Sequence, residues 1–239
     1  MKYIILFSLF ISCSGFANGS STELKITQLS DNVYQHISYK NVHGFGLVGA
    51  SGLVVIEGNN AHLIDTPWTK EGTKSLLVWI ESKGLTVKSG IATHFHQDAA
   101  GGISFLNDLS INTYATTLTN KFLKAKELDQ TSNEIQTDNF VLADGLIEMY
   151  YPGPGHTQDN IVIWLPKEKL LFGGCLVKNL KTKGLGYTGD ASIEDWPLSI
   201  QKLINKYPTV QVVVPGHGKV GGISLLEHTK KLALSLKGL

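Results

Sequence analysis

Four short apolar runs in this sequence are each followed at once by a turn that carries histidine, aspartate or cysteine. Runs of this length and composition are typical of buried β-strands. The turns are residues 93–98, 153–157, 173–175 and 215–218. Polar side chains on loops held by a rigid scaffold are typical of functional sites, so a fold that brings these strand ends together is expected.

The first turn holds His94, His96 and Asp98. Histidines at positions i and i+2 of an extended segment point in the same direction, and Asp98 can turn back toward the same space. The other three turns add His156, Cys175 and His217. Imidazole, carboxylate and thiolate are the groups with which proteins bind zinc, so these side chains predict a zinc site.

The charge of the chain is nearly balanced, with 21 basic against 20 acidic residues. No Lys-rich run or basic patch spaced with aromatic residues is present, so no nucleic-acid partner is expected. Every basic residue is a lysine, because the sequence contains no arginine. A substrate anion must therefore be bound by a lysine, which is a flexible point charge.

The N-terminus has the pattern of a secretory signal peptide. Lys2 precedes an almost wholly apolar run at 3–11, and small residues allow cleavage after Ala17. The run is too short to span a bilayer. We therefore expect residues 1–17 to be removed and residues 18–239 to form a single domain. The product is expected to be periplasmic, monomeric and not inserted in a membrane.

Two cysteines are present, and cleavage of the signal peptide removes Cys13. The remaining thiol, Cys175, then has no disulfide partner in an oxidising compartment. Its place in a glycine turn after a strand favours a ligand over an inert core residue. Lipid attachment at Cys13 is the weaker alternative, because Phe10 stands where lipoprotein signals prefer leucine.

Strand patterns and amphipathic helices alternate twice along the chain. Strands are predicted at 24–29, 33–38, 53–57, 62–65, 89–92, 146–151, 161–165, 170–172 and 211–214, and helices at 74–83, 116–128, 193–206 and 223–236. This order predicts two β-sheets packed face to face and covered by helices on the outside.

The turns together resemble the metallo-β-lactamases, in particular the broad-spectrum subclass with two zinc ions. The shared segments are 94–98, 152–157, 159–160, 172–175 and 216–217. The resemblance covers nearly the whole chain from residue 24 and implies an α/β fold, the αββα sandwich. Other hydrolases of the wider superfamily usually carry a second histidine where this chain has Ala99, and aspartate where it has Cys175.

The resemblance implies two Zn²⁺ ions per chain, each with three protein ligands. His94, His96 and His156 would bind one ion, and Asp98, Cys175 and His217 the other. It implies hydrolysis of the β-lactam ring of penicillins, cephalosporins and carbapenems by a zinc-bound hydroxide, which confers antibiotic resistance. Asp98 is expected to be catalytic as well as a ligand.

The resemblance also implies three substrate contacts and one supporting residue. Lys178 lies where the family places the cation that receives the substrate carboxylate. Phe45 lies at the tip of a glycine-rich hairpin, where relatives often carry an aromatic residue over apolar substituents. Tyr187 stands where relatives often have asparagine, so one family hydrogen bond is expected to differ. Asp65 resembles the buried carboxylate that braces the first histidine turn.

Two alternative functions stay open. Another hydrolase of the superfamily, acting on a lactone or thioester, is disfavoured by the two departures at Ala99 and Cys175. A zinc-binding protein without catalysis should close both coordination shells, whereas three ligands per ion leave open positions. Segments 199–202 and 30–32 mimic serine β-lactamase motifs in reversed order, and Ser199 falls inside a predicted helix. Of the remaining histidines, three are interpreted as structural residues: His36, His62 and His228. His43 is assigned no role.

Overall fold

The computed structural model describes residues 24–237, so the predicted signal peptide and Cys13 lie outside the described residues. Two sheets form its centre. The first has the order β1 (Lys25–Ser30), β2 (Val33–Val42), β3 (Gly46–Glu57), β4 (Asn60–Ile64), β5 (Thr86–Ile91), β6 (Asn112–Thr116) and β7 (Asn133–Ile135). The second has the order β12 (Val212–Pro215), β11 (Leu170–Gly174), β10 (Val162–Leu165), β9 (Ile147–Tyr150) and β8 (Asn139–Leu142).

Each sheet combines antiparallel and parallel pairs. Strands β1 to β4 pair antiparallel, and β4 to β7 pair parallel. In the second sheet only β11 and β12 are parallel. The β2–β3 hairpin extends from the pair Val33–Val55 to the pair Val42–Gly46, so its tip stands beyond the body of the sheet.

Six α-helices and one 3₁₀ turn are present in the described residues. They are α1 (Lys70–Ser82), α2 (Gln97–Ala100), α3 (Ile103–Asp108), α4 (Thr117–Ala125), α5 (Trp196–Lys206), α6 (Ser224–Lys237) and the 3₁₀ turn Ala143–Gly145. The hydroxyl of Thr69 accepts a hydrogen bond from the backbone of Gly72 and so caps α1. No helix within residues 24–237 is long and apolar enough to cross a membrane.

Successive residues of β3 divide between two cores, because side chains alternate across a strand. Leu53 and Val55 face the second sheet and belong to the same buried cluster as Phe172. Val54 points outward and packs with Leu76 of α1. Helices α5 and α6 cover the outer face of the second sheet in the same way. The αββα sandwich is therefore confirmed.

The sequence pattern missed the three short strands β6, β7 and β8. Their sequences, NTYAT, NEI and NFVL, are short, and asparagine is unfavourable in strands. Pairing with neighbouring strands decides their conformation. The helix expected from residue 193 begins at Trp196, and the helix expected over 116–128 ends at Ala125.

Backbone hydrogen bonds join the two sheets at the edge where the four turns lie. The amide of Ser51 in β3 donates to the carbonyl of Gly216 at 2.8 Å. The amide of Ile161 donates to the carbonyl of Thr93 at 2.9 Å. The turns that follow β5 and β12 are thereby fixed to the opposite sheet.

Candidate metal centre

The fold brings all six predicted ligands to this edge. Strand β5 ends just before the first turn, β11 and β12 end within the turns that carry Cys175 and His217, and Asp98 lies in the first turn of α2. Ligand atoms lie within 4.8 Å of one another in three overlapping groups: His94–His156–Cys175, His94–His96–Asp98 and Asp98–Cys175–His217. Side chains from both sheets therefore share one site.

Asp98, Cys175 and His217 form a compact triangle. The Sγ atom of Cys175 lies 3.1 Å from Oδ2 of Asp98 and 3.3 Å from Nε2 of His217. The third side, from Nε2 of His217 to Oδ2 of Asp98, measures 3.1 Å. Tetrahedral ligands about 2.1 Å from zinc stand roughly 3.4 Å apart, so the triangle has nearly the dimensions that one zinc ion requires.

Three imidazole rings stand beside this triangle. The ring centroids of His94, His96 and His156 are 5.0–5.2 Å apart in each pair. Nδ1 of His96 lies 3.1 Å from Nε2 of His156. Nε2 of His94 is buried without a hydrogen bond, with Oδ1 of Asp98 at 3.5 Å. Converging ring nitrogens with so few partners fit a metal ion as their common partner.

Burial and charge set the protonation of these groups. Burial holds the pKa of His156 well below its usual range, helped by the positive charge of Lys178, so the imidazole is neutral. Burial would raise the pKa of Asp98, but His217 and His94 hold it well below its usual range. Burial and the charge of Asp98 raise the pKa of the Cys175 thiol. A divalent cation is therefore needed to convert this thiol to thiolate, and its binding releases a proton.

Asp65 lies directly behind the first histidine turn. Its carboxylate accepts hydrogen bonds from the amide and the hydroxyl of Thr93, at 2.7 and 2.9 Å. The hydroxyl in turn lies 3.3 Å from Nδ1 of His94. Burial raises the pKa of Asp65 to about 7, against the opposing effects of His94 and Thr93. The sequence placed Asp65 at this turn, and the contacts are those of a bracing carboxylate.

Two further contacts orient the ligand rings. Nδ1 of His217 lies 2.9 Å from the carbonyl of Gly49, which directs Nε2 toward the triangle. Nε2 of His96 lies 2.8 Å from Oδ2 of Asp190, which directs Nδ1 toward His156. Sequence reasoning did not single out Asp190. Its only signal was an acidic residue at the end of the glycine-containing loop that also carries Tyr187.

The centre lies in an open cavity of about 650 Å³ with largely apolar walls. Lys178 lines the cavity and is 7% exposed, with Nζ 5.2 Å from the ring of Trp196. Burial lowers its pKa, while Cys175 and Asp98 act in the opposite direction. The indole of Trp196 donates a hydrogen bond to the carbonyl of Leu176 at 2.9 Å, which fixes the ring beneath the ammonium.

Tyr187 and Phe45 also line the cavity, and both rings are about half exposed. The ring of Tyr187 lies 5.8 Å from that of His96, and Phe45 lies at the tip of the β2–β3 hairpin. Trp68 and Lys126 line the same cavity and were not identified from the sequence. Neither follows one of the four turns, so no local motif marked them.

The residues with structural interpretations lie outside the centre. Ser199 is buried in α5 and donates a hydrogen bond to the carbonyl of Pro154 at 2.7 Å. His62 contacts Ser89, and His228 contacts the carbonyl of Thr182. His43 lines the cavity.

His36 is buried, with Nε2 3.1 Å from the carbonyl of Asp65, so it supports the bracing residue from behind.

Comparison with known proteins agrees with the fold. Residues 44–217 match the Metallo-beta-lactamase superfamily. A Pseudomonas aeruginosa protein named "Metallo-beta-lactamase type 2" is 43% identical over 240 residues, covering 100% of this chain and 96% of that protein. The crystal structure of VMB-1 at pH 5.5 is 62% identical with a TM-score of 0.89, covering 91% of this chain and 100% of that one. A structure of the DIM-1 metallo-beta-lactamase exposed to ceftazidime is 48% identical with a TM-score of 0.88, covering 90% and 98%.

The chain therefore belongs to the metallo-β-lactamase superfamily. Within it, the chain is a β-lactam-hydrolysing enzyme, as the named relatives are metallo-β-lactamases over nearly their full length. The expected family and activity are thus confirmed.

Proposed function

We propose that the enzyme hydrolyses penicillins, cephalosporins and carbapenems with two zinc ions. One ion is bound by His94, His96 and His156, and the other by Asp98, Cys175 and His217. The observation that supports this most directly is the 3.1–3.3 Å triangle of carboxylate, thiol and imidazole beside three further imidazoles. Three protein ligands per ion leave room for water and substrate.

When bound, zinc supplies a Lewis acid that polarises a carbonyl and makes water nucleophilic near neutral pH. The chain's own residues make the two halves of the centre unequal. Burial and Lys178 keep His156 neutral, whereas Asp98 brings a negative charge and Cys175 a second one once it is deprotonated. Asp98 spans both halves, with Oδ1 toward His94 and Oδ2 toward His217. Its Oδ1, on the His94 side, would accept the proton of a water molecule that attacks the lactam.

The cavity orients the substrate relative to this centre. The ammonium of Lys178 lies over the ring of Trp196, on the side of the centre that carries Cys175. There it binds the carboxylate on the fused ring of the substrate. Phe45 and Tyr187 stand half exposed in the wall and contact the apolar substituents. Burial of the lactam among these groups excludes bulk water, which strengthens the electrostatic contacts.

Hydrolysis of nitrocefin and of one carbapenem, with and without a chelator, tests the activity and its metal. We expect both substrates to be hydrolysed, activity to be lost on chelation and restored by zinc, and close to two zinc ions per chain by elemental analysis. Cys175→Ser should lose mainly one ion, because a hydroxyl replaces a thiolate. Full activity at one ion per chain would overturn the two-zinc proposal. Turnover of a thioester or lactone without β-lactam hydrolysis would favour the alternative hydrolase.

We also propose export to the periplasm as a monomer after cleavage following Ala17. The charged Lys2 and the apolar run at 3–11 support this. The mass of the protein from a periplasmic fraction should correspond to a chain that begins at Asn18. A larger mass with an acylated Cys13 would show the lipoprotein route instead.

A further inference from the structure

Lys126 is a second cation in the wall of the substrate cavity. It follows α4, it is exposed, and it lines the cavity together with Lys178. Its Nζ lies 6.0 Å from the centroid of the Phe95 ring. Phe95 is 6% exposed, and its ring lies 4.5 Å from that of His96. The two distances add to about 10.5 Å, which is therefore the upper limit for the separation of the ammonium from the His96 ring.

Lys126 has no ion-pair partner among residues 24–237. The acidic residues that line the cavity are engaged elsewhere, because Asp98 contacts His94 and His217, and Asp190 contacts His96. The exposed neighbour Glu127 makes no ion pair with it either. The charge of Lys126 is thus available to a ligand in the cavity.

We infer that Lys126 binds an anionic group on the acyl side chain of the β-lactam, so that the enzyme favours substrates with a second carboxylate. This inference rests on the proposed orientation, in which Lys178 receives the ring carboxylate. The distance from the lactam carbonyl carbon to the carbon of a carboxylate on the side-chain α-carbon is about 6 Å in an extended conformation. The carboxylate C–O bond and a charge-assisted hydrogen bond of roughly 2.8 Å extend this reach to about 10 Å. That reach is comparable with the upper limit of about 10.5 Å for the separation of the Lys126 ammonium from the His96 ring, so a side-chain carboxylate can reach the ammonium.

Benzylpenicillin and carbenicillin test this directly, because they differ only by a carboxylate on the side-chain α-carbon. Lys126→Gln should lower the ratio of kcat/KM for carbenicillin to that for benzylpenicillin by about two- to fivefold, as expected for an exposed ion pair. The loss should reside in KM, and it should shrink as salt screens the charge. Lys126→Glu should lower the ratio further.

Lys124→Gln is the matched control. Lys124 is an exposed lysine of α4 that does not line the cavity, so its substitution removes the same charge from outside the cavity. The control should leave the ratio unchanged. An unchanged ratio in Lys126→Gln, or an equal fall in Lys124→Gln, would overturn the inference. If the wild-type protein hydrolyses neither penicillin, it is the proposed function that fails, whereas hydrolysis of both with no effect of Lys126 refutes only the second anion contact.

Discussion

Nε2 of His96 lies 2.8 Å from a carboxylate oxygen of Asp190, a residue 94 positions further along the chain. This contact fixes the ring so that its other nitrogen faces His156. Partners of this kind orient a metal ligand and raise its basicity. The loop that carries Asp190 therefore supports the candidate metal centre as well as forming a wall of the cavity.

Asp190→Ala should weaken zinc binding by about 10- to 100-fold, because the His96 ring loses its orienting partner. Competition with a chromophoric chelator measures this affinity without any substrate. Asp108→Ala, which removes an exposed carboxylate paired with Lys70, serves as the control. Equal affinities in wild type and Asp190→Ala would show that the contact has no part in metal binding.

Replacement of Lys178 should act mainly on substrate binding. Lys178→Met keeps the side chain packed against Trp196 and removes the charge. A hydrogen bond to a charged group contributes about 1.5–3 kcal/mol, so kcat/KM should fall roughly 10- to 150-fold, chiefly through KM. Steady-state kinetics on one cephalosporin measure the change, with the exposed Lys183→Met as control. Unchanged kinetics would mean that a group other than Lys178 binds the substrate carboxylate.

Tyr187 should influence which substrates are preferred more than whether they are hydrolysed. A methyl group on Gly189 would collide with the phenol oxygen of Tyr187, so the ring depends on this glycine for its position beside His96. For any one drug, the change in kcat/KM on Tyr187→Asn should correspond to at most about 1–2 kcal/mol of transition-state stabilisation, roughly the range of a single hydrogen bond. A panel of cephalosporins and carbapenems should shift by unequal factors. Equal factors throughout the panel would mean that Tyr187 does not shape the cavity.

His36 should make the fold sensitive to acid. Burial lowers its pKa from 6.5 to about 4, against the hydrogen bond to the Asp65 carbonyl. The unfolded chain therefore takes up this proton first as the pH falls. The contribution of His36 is fully present above about pH 6.5 and is lost between pH 6.5 and 4, by about 3 kcal/mol.

Denaturant unfolding of chelator-treated protein from pH 8 to 4 measures this effect. His36→Gln keeps a hydrogen-bond donor without a titrating group, so its stability should fall less steeply over the same interval. The other titrating groups are common to both proteins. Parallel curves for wild type and His36→Gln would refute the assignment.

Asp159 carries a buried carboxylate whose two oxygens have no hydrogen-bond partner. Against the effect of burial, Asp98 raises the pKa of His94, and the negative charge of Asp159 acts in the same direction. Asp159→Asn should stabilise the metal-free chain by about 1–3 kcal/mol, since an isosteric neutral group avoids the cost of burying an unpaired charge. The same change should weaken metal binding, because attraction of the cation is lost. In Asp159→Asn the free energy of unfolding should thus rise while the affinity for the metal falls. The exposed control Asp138→Asn should change neither quantity.

The sequence predicted what is local and missed what depends on distant contacts. The six predicted ligands follow strand ends or lie in glycine turns, so strand patterns and turn chemistry were enough to predict that they lie together. Asp190, Lys126 and Trp68 reach the cavity only because the sheets and loops pack together. The structural interpretation of His36 agrees with its burial, but the sequence could not name its partner, a backbone carbonyl in another strand connection.

The division of the centre between the sheets has a consequence for assembly. His94, His96 and Asp98 follow a strand of the first sheet, whereas Cys175 and His217 follow strands of the second. A chain whose two sheets have not docked offers no complete set of ligands. If zinc binds as proposed, it binds most tightly to correctly assembled molecules, and its binding energy adds to the cohesion of the two halves. Metal starvation would then act on this enzyme twice, by stopping turnover and by weakening the contact between the two sheets.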